Sequence, residues 1–316
     1  METIHLLFLL IIYLYKKRFM LNISEIVNEC LYNFLNEELS ISSDVENYVN
    51  DIIDGLVSLN KNDGFSFFKE YTMLDGNNRE LCKYREKVFW VKGEIYNGIS
   101  LPCRITVLDF DSEDDAYNFC ENASEWNNNH FDQSSLDISV VVNGVNGAIN
   151  MLLLKNLVYH EAEHAYQYFR KFGSLCGDKS IYSKAKAIVQ GKDKIHNSNE
   201  FGLIAHLLYY LNSREIDSNV NGLYGELLLT NNIQVTNFNQ EYETMKNEFK
   251  QFLETCKTYD FNKELSYFGF NINSFVRFIN NQQKYLRKKI RKVVARTTVN
   301  ETRKVEHKNK IKSIYI

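Results

Sequence analysis

The chain has 316 residues, of which 44% are hydrophobic and 14% aromatic, enough apolar material for a substantial core and too much for a disordered polypeptide. Its six cysteines (Cys30, Cys82, Cys103, Cys120, Cys176 and Cys256) contain no CxxC pair, so a cysteine-built zinc knuckle or a thioredoxin-like dithiol has no support, and a reducing, cytoplasmic setting is expected. The net charge of −3 conceals an asymmetry: residues 284–316 carry 12 Lys/Arg against two acids, a net of +10, while the preceding 283 carry 25 Lys/Arg and 38 Asp/Glu, a net of −13.

In chain order, residues 4–15 form an apolar run of 12, short of the roughly 20 needed to span a bilayer. The basic cluster Lys16-Lys17-Arg18 follows that run, whereas a secretory signal places its positive charge first. Residues 1–19 are therefore read as an extension or a misassigned start before Met20, and a membrane partner is expected only if residues 4–15 act as an anchor. Residues 20–84 read as a helical region, with helices over 23–38 and 43–59, the second opened by Ser43 and Glu46 as a capping box. Polar clusters at 60–64 and 75–78 mark turns.

The character then changes. Residues 87–97 and 101–111 are rich in β-branched and aromatic side chains and flank Asn97-Gly98, which predicts a hairpin. A helix over 112–125, a polar loop over 126–135 and a strand over 137–143 follow, and a turn at 143–147 leads into a helix over 148–171. Residues 173–200 are polar and loop-like with a short helix near 183–189; helices at 201–211 and 213–230 come next, and helical signal resumes from about 240. Pro102 is the sole proline, which suits long uninterrupted helices. The expected fold is α+β: a small sheet of at least three strands packed on the 148–171 helix, then a mainly helical C-terminal half. Residues 85–235 form the expected core, 236–296 a C-terminal helical region and 297–316 a basic tail.

The 148–171 helix contains His160-Glu161-Ala162-Glu163-His164, an HExxH match. Residues four apart share a helix face, so both imidazoles can reach one metal ion. Glu161 lies about 100° round the helix, beside the open position, where it can take a proton from a bound water. Chance alone gives such a match at about one per cent, so context decides. The context is an apolar helix face, a strand and turn before it, and a third ligand candidate after it, since a catalytic zinc wants three protein ligands. Glu215, 51 residues after His164 in Leu211-Asn-Ser-Arg-Glu215, is the first candidate, with Ser213 as a natural N-cap. His206, Glu200 and Glu226 are the competitors: a core histidine, a solvated glutamate and a surface glutamate on the plainer reading.

A strand, a turn, an HExxH helix and a later helix bearing a glutamate ligand resemble the zincin metallopeptidases of the glutamate-ligand type, the gluzincins, over roughly residues 85–230. Glu215, Ser218 and Asn219 match in part a run found in small prophage-type metallopeptidases, though Gly222 stands where bulk is expected. The metzincin third histidine is absent between Ala165 and Gly173. The resemblance implies a zincin-like fold, Zn2+ held by His160, His164 and Glu215, Glu161 as general base, and a peptide or protein substrate cleaved without a covalent intermediate.

Weaker candidates stand beside these. Residues 138–142 could offer a sheet edge to an extended peptide, or be plain core. Tyr209, Tyr210 or Tyr224 could supply an oxyanion donor, though with 20 tyrosines in the chain most must be packing. His130 and His196 read as solvated. The alternative to an enzyme is a structural or interaction protein with a degenerate HExxH helix, whose basic tail meets an anionic partner such as nucleic acid, a membrane or the chain's own acidic body.

Overall fold

The hairpin at Asn97-Gly98 forms, and the sheet is built outward from it. The two residues take positive φ values of 44° and 79°, the geometry of a two-residue turn whose twist matches the flanking strands. The computed structural model describes residues 42–63, 69–75, 77–112, 114–115, 130–131, 134–143, 148–149, 151–170, 179–196, 198–230 and 232–299. The expected helices at 23–38 and, for the most part, 112–125 lie outside the described residues, as do the apolar run 4–15 and the tail beyond residue 299.

Helix α1 (Ser43–Asp63) precedes strands β1 (Lys69–Leu74), β2 (Glu80–Tyr96), β3 (Ile99–Phe110), β4 (His130–Phe131), β5 (Leu136–Asn143) and β6 (Ala148–Ile149). The sheet runs β1-β2-β3-β5-β4, with β6 also on β5; β3 and β5 are parallel and the other pairs antiparallel. It therefore begins at Lys69, within the stretch read as helical. Strand β1, Lys69-Glu-Tyr-Thr-Met-Leu74, is too short and mixed to carry a strong strand signal, and it is joined to β2 by a turn in which Asp75 Oδ1 accepts from the backbone N–H of Asn77 (2.7 Å) and Arg79 (2.9 Å). The cap of α1 also differs: Ser42 Oγ, not Ser43, accepts from Asp44 N at 3.1 Å, and Glu46 turns elsewhere.

Helices α2 (Met151–Arg170), α3 (Lys179–Val189), α4 (Asn199–Tyr210) and α5 (Ser213–Leu227) follow, then α6 (Asn237–Thr255), α7 (Asn262–Tyr267) and α8 (Ile272–Val299). The α+β layout with a helical second half is what the sequence predicted. One face of the sheet carries α1 and α2, sealed by Val45, Ile52, Ile105, Ile138, Leu154 and Val158, all at most 1% exposed. Burial of such side chains is worth about 1.5–3 kcal/mol each and fixes α2 against the sheet. Among the described residues no helix is long and apolar enough to cross a membrane.

The basic C-terminal segment is in part turned inward. On α8, Lys289 Nζ lies 3.1 Å from Asp217 Oδ1 of α5, and Arg296 Nη2 lies 3.3 Å from Glu46 Oε2 of α1. Tyr224 donates to the other Glu46 oxygen at 3.1 Å. The chain's own acidic body is thus the anionic partner of these two cations.

Candidate metal centre

The apolar face of α2 (Leu154, Val158, Ala162, Ala165) is buried, which turns His160 and His164 toward α5. Close approach of the two helices depends on small residues in α5. A Cβ on Gly222 would lie 3.0 Å from Asn156 Oδ1, and one on Gly225 would lie 2.5 Å from Tyr159 Cδ2 and 2.9 Å from the Lys155 carbonyl. Bulk at 222 would press on the Asn156 side-chain amide, and at 225 on the α2 backbone itself. Helix α5 is capped by Asn212, whose side chain accepts from Arg214 N at 3.0 Å, rather than by Ser213. Glu215 consequently sits in the first turn, where the helix dipole favours a carboxylate.

These constraints bring the three predicted ligands together. His160 Nε2 and His164 Nε2 are 3.1 Å apart, and Glu215 Oε2 lies 3.6 Å from the first and 3.5 Å from the second. For zinc bound at about 2.0–2.1 Å in tetrahedral geometry, ligand atoms stand about 3.4 Å apart. The triangle therefore has the size of one face of such a tetrahedron, and no other group of three His, Cys, Asp or Glu ligands converges among the described residues. The donor set, two imidazoles and a carboxylate, suits a divalent ion of borderline softness.

The backs of the ligands are held. His164 Nδ1 is 3.1 Å from Ser218 Oγ, and Asn219 hydrogen-bonds His160, so two residues of α5 orient both rings. Tyr182 of α3 donates to Glu215 Oε1 at 2.6 Å, which leaves Oε2 for the histidines. Burial penalises the Glu215 carboxylate, but the charge and hydrogen bond of His164, then His160, then the Tyr182 bond outweigh it and hold the group at about 2. Burial and the neighbouring His164 lower His160; burial also opposes charge on His164, yet the Glu215 carboxylate raises it. Burial first, and then the Glu215 charge, push the phenols of Tyr182 and Tyr209 up, so both remain neutral donors.

A cleft of about 180 Å³ opens on His160, Glu161 and Glu215. Asn156 and Leu157 of α2, Tyr209 and Tyr210 of α4, Asn219 of α5 and Glu241 of α6 wall it. Glu161, 7% exposed, lines the cleft but is not one of the three converging ligands. No protein-family model, curated protein or solved structure matches the chain.

The remaining candidates fall elsewhere. His206 is paired with Glu248, and Glu200 lies in the first turn of α4. Glu226 is fully buried, not at the surface, and accepts from Asn237 N (2.8 Å), Asn237 Nδ2 (2.6 Å) and Phe238 N (3.3 Å). His196 is not simply solvated: its Nδ1 lies 2.9 Å from Asp193 and its ring packs 4.1 Å from that of Tyr267. His130 starts the short strand β4. Tyr224 is buried against Tyr159 and Glu46, so of the three tyrosines only Tyr209 and Tyr210 line the cleft. Sequence reasoning passed over Tyr182, because nothing in its local pattern distinguishes a ligand-holding tyrosine from a packing one, and Glu241, which lies on a helix remote in sequence.

Proposed function

We propose that this chain is a zinc-dependent metallopeptidase with zincin-like packing around α2, in which His160, His164 and Glu215 hold Zn2+ and Glu161 is the general base. The observation that carries this reading is the 3.1–3.6 Å triangle closed by a glutamate 51 positions beyond the HExxH histidines. A zinc ion bound there supplies a Lewis acid for the scissile carbonyl and lowers the pKa of a coordinated water toward roughly 7. Glu161, in the cleft wall, accepts the proton of the attacking water and returns it to the departing amine, so water is added across the C–N bond with no covalent enzyme intermediate. Tyr209 and Tyr210, whose phenols burial raises, offer neutral O–H donors to negative charge developing on the substrate oxygen.

The inner part of the basic segment, with Lys289 and Arg296 engaged by Asp217 and Glu46, gives little to the alternative of a nucleic-acid-binding surface. Elemental analysis and peptide hydrolysis test the proposal together. One zinc per chain is expected, lost in His164→Ala; Glu161→Gln should retain the zinc and lose cleavage by about 10²-fold or more. A metal-free wild type, or a Glu161→Gln variant that cleaves at the wild-type rate, refutes it.

A further inference from the structure

Two cations stand beside the metal centre and have no part in the chemistry above. Tyr182, whose hydroxyl donates to Glu215, has the Lys186 ammonium of its own helix α3 and the Arg214 guanidinium of α5 over its ring, each 5.9 Å from the centroid. That distance is at the outer limit of a cation–π contact, about 6 Å, so the ring takes up neither cation's hydrogen-bonding capacity. Neither side chain has a carboxylate partner among the described residues. Arg214 Nε is moreover buried without any hydrogen-bond partner, and a buried donor left unmet points to an ion as its explanation. A second observation concerns access. His164 does not line the cleft of Glu161 and Glu241, yet its side chain is 21% exposed, so solvent also reaches the metal centre from the His164 side. The Lys186 ammonium is close enough for its charge to act on the His164 ring.

We propose that Lys186 and Arg214 form a subsite for a carboxylate of the peptide substrate, its C-terminus or an acidic side chain close to the scissile bond. This rests on the metallopeptidase reading of the same metal centre. A carboxylate has two oxygens, and a guanidinium fork and an ammonium can donate to both at once. The reach is short. The ring that carries both cations touches Glu215 through its hydroxyl, and an extended residue spans about 3.3–3.6 Å, so one or two residues separate the carboxylate from the bond held at the metal. Glu161 and Glu241 repel a carboxylate within the cleft, but neither Lys186 nor Arg214 lines that cleft, so the carboxylate is received on the His164 side, apart from those acids. Both cations are partly open to water, so the subsite ranks substrates by relative rate and does not exclude neutral ones.

The test uses the full-length, zinc-loaded protein and a matched set of fluorogenic peptides. Each is made as a C-terminal acid and as an amide, with Glu or Gln placed in turn at the positions following the scissile bond, and cleavage sites are read by mass spectrometry. Wild type should favour a carboxylate-bearing member by roughly tenfold in kcat/KM. Acid over amide identifies the C-terminus as the ligand, and Glu over Gln among the amides identifies the side chain. Lys186→Gln and Arg214→Gln should each cut that ratio by about threefold or more, while Lys194→Gln, an exposed cation beyond the end of α3, should leave it at the wild-type value. Zinc content is measured in every variant, and Lys186→Gln alone decides if Arg214→Gln, next to Glu215, loses the ion. Equal rates for all members, or a ratio that survives the substitutions, overturns the proposal. Calorimetric binding of the same peptides to zinc-loaded Glu161→Gln separates the two readings. Carboxylate-dependent binding that Lys186→Gln weakens, without any cleavage by wild type, overturns the peptidase and supports the subsite. Neither cleavage nor binding overturns both.

Discussion

Glu163, the inner glutamate of HEAEH, is a buried carboxyl whose titration should be visible in the stability of the metal-free protein. Its side chain is 6% exposed; Asn221 Nδ2 donates to Oε2 at 2.6 Å and Gln167 Nε2 to Oε1 at 2.9 Å. Burial lifts the group from 4.5 to about 7; the Gln167 bond opposes this, and Asp217 adds to it. Because the folded pKa is the higher one, the native state binds more protons than the unfolded state between pH 4.5 and about 7. Stability must therefore fall as pH rises through that window, by about 1.36 kcal/mol per unit or ~3 kcal/mol in all, an upper figure for a single group. Glu163→Gln removes the titration and costs about 1 kcal/mol for one mismatched hydrogen bond. The variant should then be ~1 kcal/mol less stable than wild type at pH 4.5 and ~2 kcal/mol more stable at pH 8. Urea denaturation in chelator across pH 4.5–8 measures the difference between the two proteins, in which titrating groups not coupled to Glu163 cancel. A difference that does not change sign, or that stays flat with pH, refutes the assignment of a neutral buried acid at 163.

Other perturbations probe the site through its supports. Gly225→Ala puts a methyl 2.5 Å from Tyr159 and 2.9 Å from the Lys155 carbonyl, so α2 and α5 must separate; a loss of ~1–3 kcal/mol in chemical denaturation and weaker zinc binding are expected. Tyr182→Phe removes the donor to Glu215 Oε1 and should weaken zinc roughly 10–100-fold in a competition titration, whereas unaltered affinity would remove Tyr182 from the site's support. Zinc binding should weaken as pH falls through the raised pKa of His164, whose proton competes with the ion; an affinity independent of pH between 8 and 6 contradicts His164 as a ligand. Arg296→Ala removes the guanidinium from Glu46 while the Tyr224 hydrogen bond stays, and because the pair is only 12–14% exposed the cost should exceed that of a surface pair, ~1–3 kcal/mol by thermal or urea unfolding.

What could be read from the sequence followed the reach of local rules. Asn97-Gly98 encodes its turn in two residues, and HEAEH encodes the shared helix face in five, so both were predictable from spacing alone. Helix ends were predictable to within a residue or so: Ser42 and Asn212, not Ser43 and Ser213, provide the caps, since neighbouring residues of similar capping strength compete. Strand β1 escaped notice because its residues gain strand character only by pairing with β2, a tertiary effect on a weak local preference. Glu226 looked like a surface acid because its partners, the N–H groups of Asn237 and Phe238, belong to the next helix start, where they are free to receive a carboxylate.

Glu215 lies between these cases, and helix α5 explains why. Within one turn and a half it provides the candidate ligand Glu215, Ser218 and Asn219 against the two histidine rings, and Asp217, which anchors Lys289 of α8. Spacing of three and four along a helix places Ser218 and Asn219 on the face of Glu215, while Asp217, two residues on, points away toward α8. The run Glu215-Ile-Asp-Ser-Asn219 thus divides between two neighbours by helical periodicity, with the buried Ile216 as its apolar contact. Periodicity alone shows that these residues share faces; it does not show which partner each face meets. That information resides in the glycines. Gly225 leaves out a side chain that would press on the α2 backbone and Gly222 one that would press on the Asn156 amide, and at the resulting separation Glu215 Oε2 lies within 3.6 Å of both histidines. Glycine at these positions therefore supports the candidate metal site through the spacing of the two helices and not through contact with its three converging residues.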